Sequence, residues 1–279
     1  MKRFSSLLAA VSLMAAGCAA VFGAGVATAA PSASAAAALP TLNIALTGAN
    51  HVAVSGSTVS GAVDVVTTHS GPGQGAVGLV RLNPGVPFQT AFQAVQSHRG
   101  DINALTPYGS LFADASSPGA FQTVLTAGNY VALNISGNGA PAFEQFTVTQ
   151  SASPAALPAA NATEASIEFG FKGPNVLHDG TTVRLENRGY LVHMDDLIGA
   201  RNRASALALM ALLRAGKDHA ARKLATGFVN LIGPASPGAM QQEVLNAKPG
   251  YYIQACFMDT QDGRQHTRLG MTRLIKVVK

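Results

Sequence analysis

A mainly β chain folded as two tandem β-sandwiches is predicted by three observations. Short β-rich runs are punctuated by turn dipeptides, several anchor segments recur in the same order in both halves, and each copy closes on a strand-like segment. In the first copy the strand signals are residues 42–46, 58–66 and 76–82. In the second they are Ile167-Glu168-Phe169-Gly170-Phe171, Thr182-Val183-Arg184-Leu185-Glu186 and Leu191-Val192-His193-Met194, separated by Asp179-Gly180 and Arg188-Gly189. The middle of each copy changes period. Ala206, Leu209, Met210 and Leu213 fall at i, i+3, i+4 and i+7, Leu224, Phe228 and Leu231 follow, and Phe88, Phe92 and Val95 keep the same spacing in the first copy. Each sandwich is therefore expected to carry a helical insert before its last two strands.

The repeat is carried by short matches. Ser117-Pro118-Gly119-Ala120 returns as Ser236-Pro237-Gly238-Ala239, Gly56-Ser57-Thr58-Val59 as Gly180-Thr181-Thr182-Val183, and Gly128-Asn129-Tyr130-Val131-Ala132-Leu133-Asn134 as Gly250-Tyr251-Tyr252-Ile253-Gln254-Ala255-Cys256. The expected domains are residues 41–150 and 164–279. The Ala- and Pro-rich, uncharged stretch 151–163 reads as the linker between them.

Residues 1–30 read as a secretory signal. Lys2 and Arg3 form a basic start, residues 7–26 are apolar or small, and Ala27-Thr28-Ala29 offers a small-residue cleavage site. An uncut N-terminal anchor and lipidation at Cys18 are the competing readings. Residues 31–40, rich in Ala, Ser and Pro, read as a flexible leader. The leader is of bacterial type, so the expected location is periplasmic, extracellular or at the cell surface, with no membrane span once the signal is cut. Cleavage removes Cys18 and leaves Cys256 as the sole thiol, so no disulfide within the chain can support the exported protein. A lone thiol outside the cytoplasm oxidises unless it is buried or bound.

Charge is uneven. Residues 41–150 hold two basic side chains, Arg81 and Arg99, against four acids, whereas residues 164–279 hold fifteen basic groups against ten acids. The excess in the second half suits an acidic surface, such as that of a redox partner; the alternative is an ordinary solvated face. Basic residues interleaved with aromatics are missing from the sequence, which argues against nucleic acid as a partner. The sequence also lacks a Gly-x-Ser-x-Gly elbow, a Cys-x-x-Cys pair, a His-Glu-x-x-His helix and a phosphate loop, and no catalytic residue can be named. None of the seven histidines forms a His-x-His pair of the kind that bridges metal centres.

The end of the chain carries the chemistry. A strand ends in Cys256, a polar turn follows, and His266 and Met271 stand on the return. Tyr252, Gln254 and Cys256 alternate onto one strand face. Thiolate and thioether favour copper, and two neutral imidazoles complete a trigonal set that accepts either oxidation state with little rearrangement.

These residues resemble the cupredoxins, the Greek-key sandwiches that include the plastocyanin-like blue copper proteins. Val183-x-Leu185-x-Asn187 with His193 six residues on, Gly250-x-Tyr252-x-x-x-Cys256, and Gly270-Met271 with its closing strand carry the resemblance, which covers residues 164–279 apart from the helical insert. It implies a cupredoxin-like fold for each copy and one copper ion in the second. His193, Cys256 and His266 would be equatorial ligands, Met271 a weak axial ligand, and Asn187 a group beside the thiolate. Nine residues, 257–265, stand between Cys256 and His266 where the family has only a few. In the first copy Asn134 stands where Cys256 does, so that domain is expected to bind no metal of this kind. The function expected is electron transfer or copper handling; the alternative is a metal-free surface or binding module that keeps only the scaffold.

Overall fold

A computed structural model describes residues 38–279 apart from 49, 72–74, 99, 118 and 137–140. The expected signal and all but the last three residues of the leader lie outside the described residues. The first half runs β1 (Thr41–Thr47), β2 (His51–Gly56), β3 (Gly61–Ser70), β4 (Gly75–Leu82), α1 (Phe88–Ser97), a 3-10 turn Ile102–Leu105, β5 (Gly109–Ser117), β6 (Gly119–Leu125), β7 (Gly128–Asn134) and β8 (Ala142–Val148). The second runs β9 (Ala162–Ile167), β10 (Gly170–Lys172), β11 (Val176–His178), β12 (Thr182–Asn187), β13 (His193–Ala200), α2 (Arg203–Arg214), α3 (Asp218–Arg222), β14 (Ala225–Ala235), β15 (Met240–Val244), β16 (Gly250–Ala255), a 3-10 turn His266–Leu269 and β17 (Thr272–Val278).

The two halves repeat one topology. One sheet orders its strands β6-β3-β1-β2 in the first half and β15-β12-β9-β10 in the second, and the facing sheets read β5-β4-β7-β8 and β14-β13-β16-β17, with β11 added at the last edge. The chain crosses between sheets at β3–β4, β5–β6 and β6–β7, as a Greek key requires. β15 pairs with β6, so the first sheets of the two halves fuse into one of eight strands. Thr123 donates to the carbonyl of Met240, Gln242 to Gln122, and Ser236 exchanges two hydrogen bonds with Leu111, which seals the junction.

Burial follows the pleat. Val63 and Val65 of β3 and Val77 and Leu79 of β4 point into one core, and Val183 and Leu185 of β12 with Leu197 of β13 into the other. On the outer face of the second sandwich, Ala206, Leu209 and Leu213 of α2 cover Ile198, Ile253 and Ala255. The apolar stripe read from the sequence is thus spent on the sheet. Asn202 caps α2 through a hydrogen bond from the Ser205 amide, and its side chain satisfies one of the helix's open donors.

Two expectations are corrected. Four strands, not two, follow each helical insert, and in the second half Leu224, Phe228 and Leu231 do not extend the helix: residues 225–235 form β14, paired along β13. Val229 and Leu231 alternate inward, but bulges in the β13–β14 ladder break the strict alternation over its length and leave apolar residues at helix-like spacing. The run 167–171 is not one strand either. Phe169 adopts φ 57° and turns β9 back as β10.

Candidate metal centre

β13 and β16 are neighbours in the second sheet, Asp196 opposite Ala255, so His193 at the start of one strand and Cys256 just past the end of the other emerge at the same end of the sandwich. A bulge beside His193 re-aims its side chain inward. Cys256 lies on the inner face together with Tyr252 and Gln254, as the alternation required, while Ile253 and Ala255 face the helices.

The long segment 257–265 folds as a compact turn. The Thr260 amide donates to the carbonyl of Arg264 and the Gly263 amide to that of Thr260, with Gly263 at φ 78° supplying the left-handed residue an Asp-Gly turn needs. Asp259 bridges to Gln265, and the His266 amide donates to the Met258 carbonyl. The chain therefore returns to its starting point before the 3-10 turn that carries His266 begins. Nine residues close the same gap that a few would.

His193, Cys256 and His266 come together with one ligand atom each, all within 4.8 Å of one another and all buried. Both imidazoles turn Nδ1 toward the sulfur, at 3.8 Å for His193 and 3.3 Å for His266. Ligands about 2.0–2.3 Å from a common centre, at trigonal angles, stand about 3.5–3.9 Å apart. The His193 separation falls within that range and the His266 separation lies just below it. Donor type agrees with geometry: a thiol and two imidazoles are the set that suits copper, with an axial thioether as the fourth partner. Met271 is fully buried in the same apolar cluster as Cys256, Val192 and Met258, with Met194, Phe169, Phe171 and Ile102 packed around it. The residues present fit a single copper ion, and such an ion would supply one-electron chemistry with little movement of its ligands.

The surroundings hold these groups neutral when no metal is bound. Burial pushes the Cys256 thiol up to about 12, against the Met194 and Met258 backbone contacts that favour the thiolate. Burial pulls His193 down to about 4, its neighbour His266 adding to the effect and Glu168 opposing it. His266 falls to about 4 for the same main reason, with Glu168 and Asp101 opposing. The Met194 amide donates to the Cys256 sulfur at 3.4 Å, a bond that a thiolate would strengthen.

Asn187 acts on the loop rather than on the thiolate. Its amide group donates to the carbonyls of Leu191 and Ala235, and its oxygen accepts from the Gly189 amide. That fixes residues 188–192, the approach to His193. The carboxylate nearest the His193 ring is Glu168, 3.8 Å from Nε2, whereas Asp195 is engaged by Gln254 and Asp196 by Asn230. Glu168 accepts from the Tyr190 and Leu191 amides, which, with the nearby His193, holds its carboxyl below the usual carboxylate range despite some cost of burial. At that distance Glu168 acts on the ring through its charge, and His193 Nε2 is buried without a hydrogen-bond partner. Gly189 makes room for this contact, since a Cβ there would stand 2.5 Å from Glu168 Oε1 and 2.7 Å from His193 Nε2. Glu168 lies at a hairpin turn twenty-five residues before His193, and no spacing in the sequence announces it.

No family model matches the chain, and no curated protein matches it. Solved structures do. Auracyanin from Roseiflexus castenholzii is 18% identical over 42% of this chain and 95% of its own, with a TM-score of 0.26. The azurin Az-iso2 from Methylomonas sp. strain J is 14% identical over 42% and 96%, with a TM-score of 0.25. The copper-containing nitrite reductase from Thermus scotoductus SA-01 is 12% identical over 86% of this chain and 68% of its own, with a TM-score of 0.25. Likenesses this distant leave the functional reading to the geometry of this chain's own residues. The fold itself is mainly β, two tandem sandwiches with helical inserts.

Proposed function

We propose that the second sandwich binds one copper ion through His193 Nδ1, Cys256 Sγ and His266 Nδ1, with Met271 as a weak axial ligand, and that the protein serves in electron transfer. The observation that carries this is the convergence of three buried soft donors, each from a different segment, within 4.8 Å. Complete burial of all three side chains favours electron transfer over delivery of copper to another protein. A delivery site must let an incoming ligand reach the metal, whereas an electron can pass through a closed, rigid shell. Soft ligands held in place by packing keep rearrangement small, which is what fast one-electron exchange requires.

The sequence signal at residues 1–30 supports export, which makes the protein periplasmic, extracellular or surface-bound. Among the described residues no helix is long and apolar enough to cross a membrane. We further propose that an acidic redox partner docks on α2 and α3. Residues 201–223 present Arg201, Arg203, Arg214, Lys217, Arg222 and Lys223, all exposed, against one acid, Asp218, and α2 packs on the turn that bears His266. Encounter with such a partner should slow steeply as ionic strength rises.

A second reading has its own observation. The Cys256 thiol lies 3.3 Å from His266 Nδ1, so it can donate a hydrogen bond there and satisfy the group without a metal, as a structural or binding module would need. Titration of the purified chain, lacking residues 1–30, with Cu(II) separates the two. The copper reading expects one equivalent bound with an intense thiolate-to-copper band in the visible, and a higher melting temperature. A colourless mixture with an unchanged melting temperature leaves the metal-free module.

A further inference from the structure

We propose that Asn103, in the first half, is the positioning residue that sets the spacing of the two ligand-bearing loops, so that the first half completes the site of the second. The inference rests on the copper reading. Asn103 sits in the 3-10 turn that follows the first helical insert and is buried. Its Oδ1 accepts from the Val192 amide at 2.9 Å, and its Nδ2 donates to the Asp259 carbonyl at 3.0 Å. Val192 immediately precedes His193. Asp259 is three residues past Cys256 and forms the bridge to Gln265 that closes the loop before His266. One carboxamide thus spans the segments that present all three ligands, from 89 residues before one and 156 before the other.

The chemistry of the contact calls for an amide. Asn103 accepts on one side and donates on the other, and its own orientation is fixed by Asp101, which accepts from both the backbone and the side-chain nitrogen of Asn103 at 2.9 Å. An aspartate would keep the acceptor for Val192 but lose the donor to both Asp259 and Asp101, and would set its carboxylate against that of Asp101. A leucine would lose both and leave the buried Val192 amide and the Asp259 carbonyl in need of new partners. Ile102, beside it, packs against the cluster of Cys256, Val192, Met258 and Met271, so the same turn seals the site as well as tying it.

The test uses the full chain without residues 1–30, comparing Asn103→Leu and Asn103→Asp with the parent and with Leu42→Ala. Leu42 is buried in the core of the first half, remote from the turn in sequence and in a separate cluster. Two readouts are taken: Cu(II) affinity with its visible spectrum, and the rate at which native metal-free Cys256 reacts with a neutral disulfide reagent. Asn103→Leu should bind Cu(II) about 10–100-fold more weakly with a shifted band, as loss of an outer-shell partner does elsewhere. Its thiol should react at least about tenfold faster. Asn103→Asp should also weaken copper binding and speed the thiol reaction, and Leu42→Ala should lower the melting temperature with copper affinity unchanged. Parent-like affinity and parent-like thiol protection in Asn103→Leu would overturn the proposal; if that variant does not fold, the same two readouts on Asn103→Asp decide. A parent that binds no copper sinks the functional reading, while the thiol rates still show whether Asn103 holds the loops.

Discussion

The Cys256 sulfur and Nδ1 of His266 lie 3.3 Å apart although nine residues separate them in the chain. The intervening loop closes on itself through Thr260, Asp262, Gly263 and Arg264, and the Met258 carbonyl receives the His266 amide. Loop length therefore decides little once the base of the loop is hydrogen-bonded. What matters is that Met258 and His266 face each other across that base.

Substituting Cys256 by serine removes the one soft anionic ligand while nearly preserving volume. Copper affinity should fall by more than about 100-fold, beyond what an outer-shell change does, and the visible band should vanish. In the parent without metal, the thiol should resist iodoacetamide at pH 8 until denaturant is added, because burial keeps it protonated up to about 12. Copper binding by the serine variant with parental affinity would refute the ligand set.

The two buried imidazoles make the metal-free protein sensitive to acid. Each titrates near 6.5 when unfolded but stays neutral to about 4 in the native state. Between those values the unfolded chain binds more protons, so stability falls as pH drops through the window and levels off below it. The loss is on the order of 3 kcal/mol per imidazole. Urea denaturation at pH 7 and pH 4.5 measures it, and a His266→Gln variant should show a shallower slope.

Placing a methyl group at Gly189 wedges it between Glu168 and the His193 ring. Neither neighbour is a free side-chain end, since Glu168 is held by two backbone amides and His193 is packed in the interior. Gly189→Ala should weaken copper binding by about tenfold or more through tilting of His193. Glu168→Gln keeps an acceptor for the Tyr190 and Leu191 amides and should cost less. Isothermal titration with Cu(II) ranks the two, and the opposite ranking would remove the role assigned to Gly189.

The fold was legible where one period dominates. α1 and α2 and the flanking strands of both halves announce themselves, because each presents a single apolar face. β14 was misread because a bulged ladder shifts the phase of its inward residues, and the β9–β10 turn because Phe169 takes a left-handed backbone that nothing in a β-rich run signals. At the site, the structure brings the His193, Cys256 and His266 side chains together, and the segments that carry them were recognisable. The groups that hold them were not. Glu168 approaches His193, and Asn103 the backbone beside the ligands, from elements far away in sequence, and ordinary polar residues carry no mark of the contacts that tertiary structure gives them.

Beneath the ligands, Arg273 compensates a carboxylate that would otherwise be stranded. Glu164 is fully buried, pairs with Arg273, and shares the Gln254 amide with Asp195. Burial raises the Glu164 carboxyl, and Arg273 and Gln254 pull it back only in part. Truncation to Arg273→Ala leaves that charge without its partner and should cost about 3–5 kcal/mol at pH 7. Protonation can relieve the stranded acid, so the gap between variant and parent should narrow as pH falls. Adding Glu164→Gln to Arg273→Ala should recover much of the loss, because no charge is then left without its partner. Chemical denaturation of the single and double variants measures the coupling. If Arg273→Ala is as stable as the parent, Glu164 is already neutral at pH 7 and the ion pair contributes nothing.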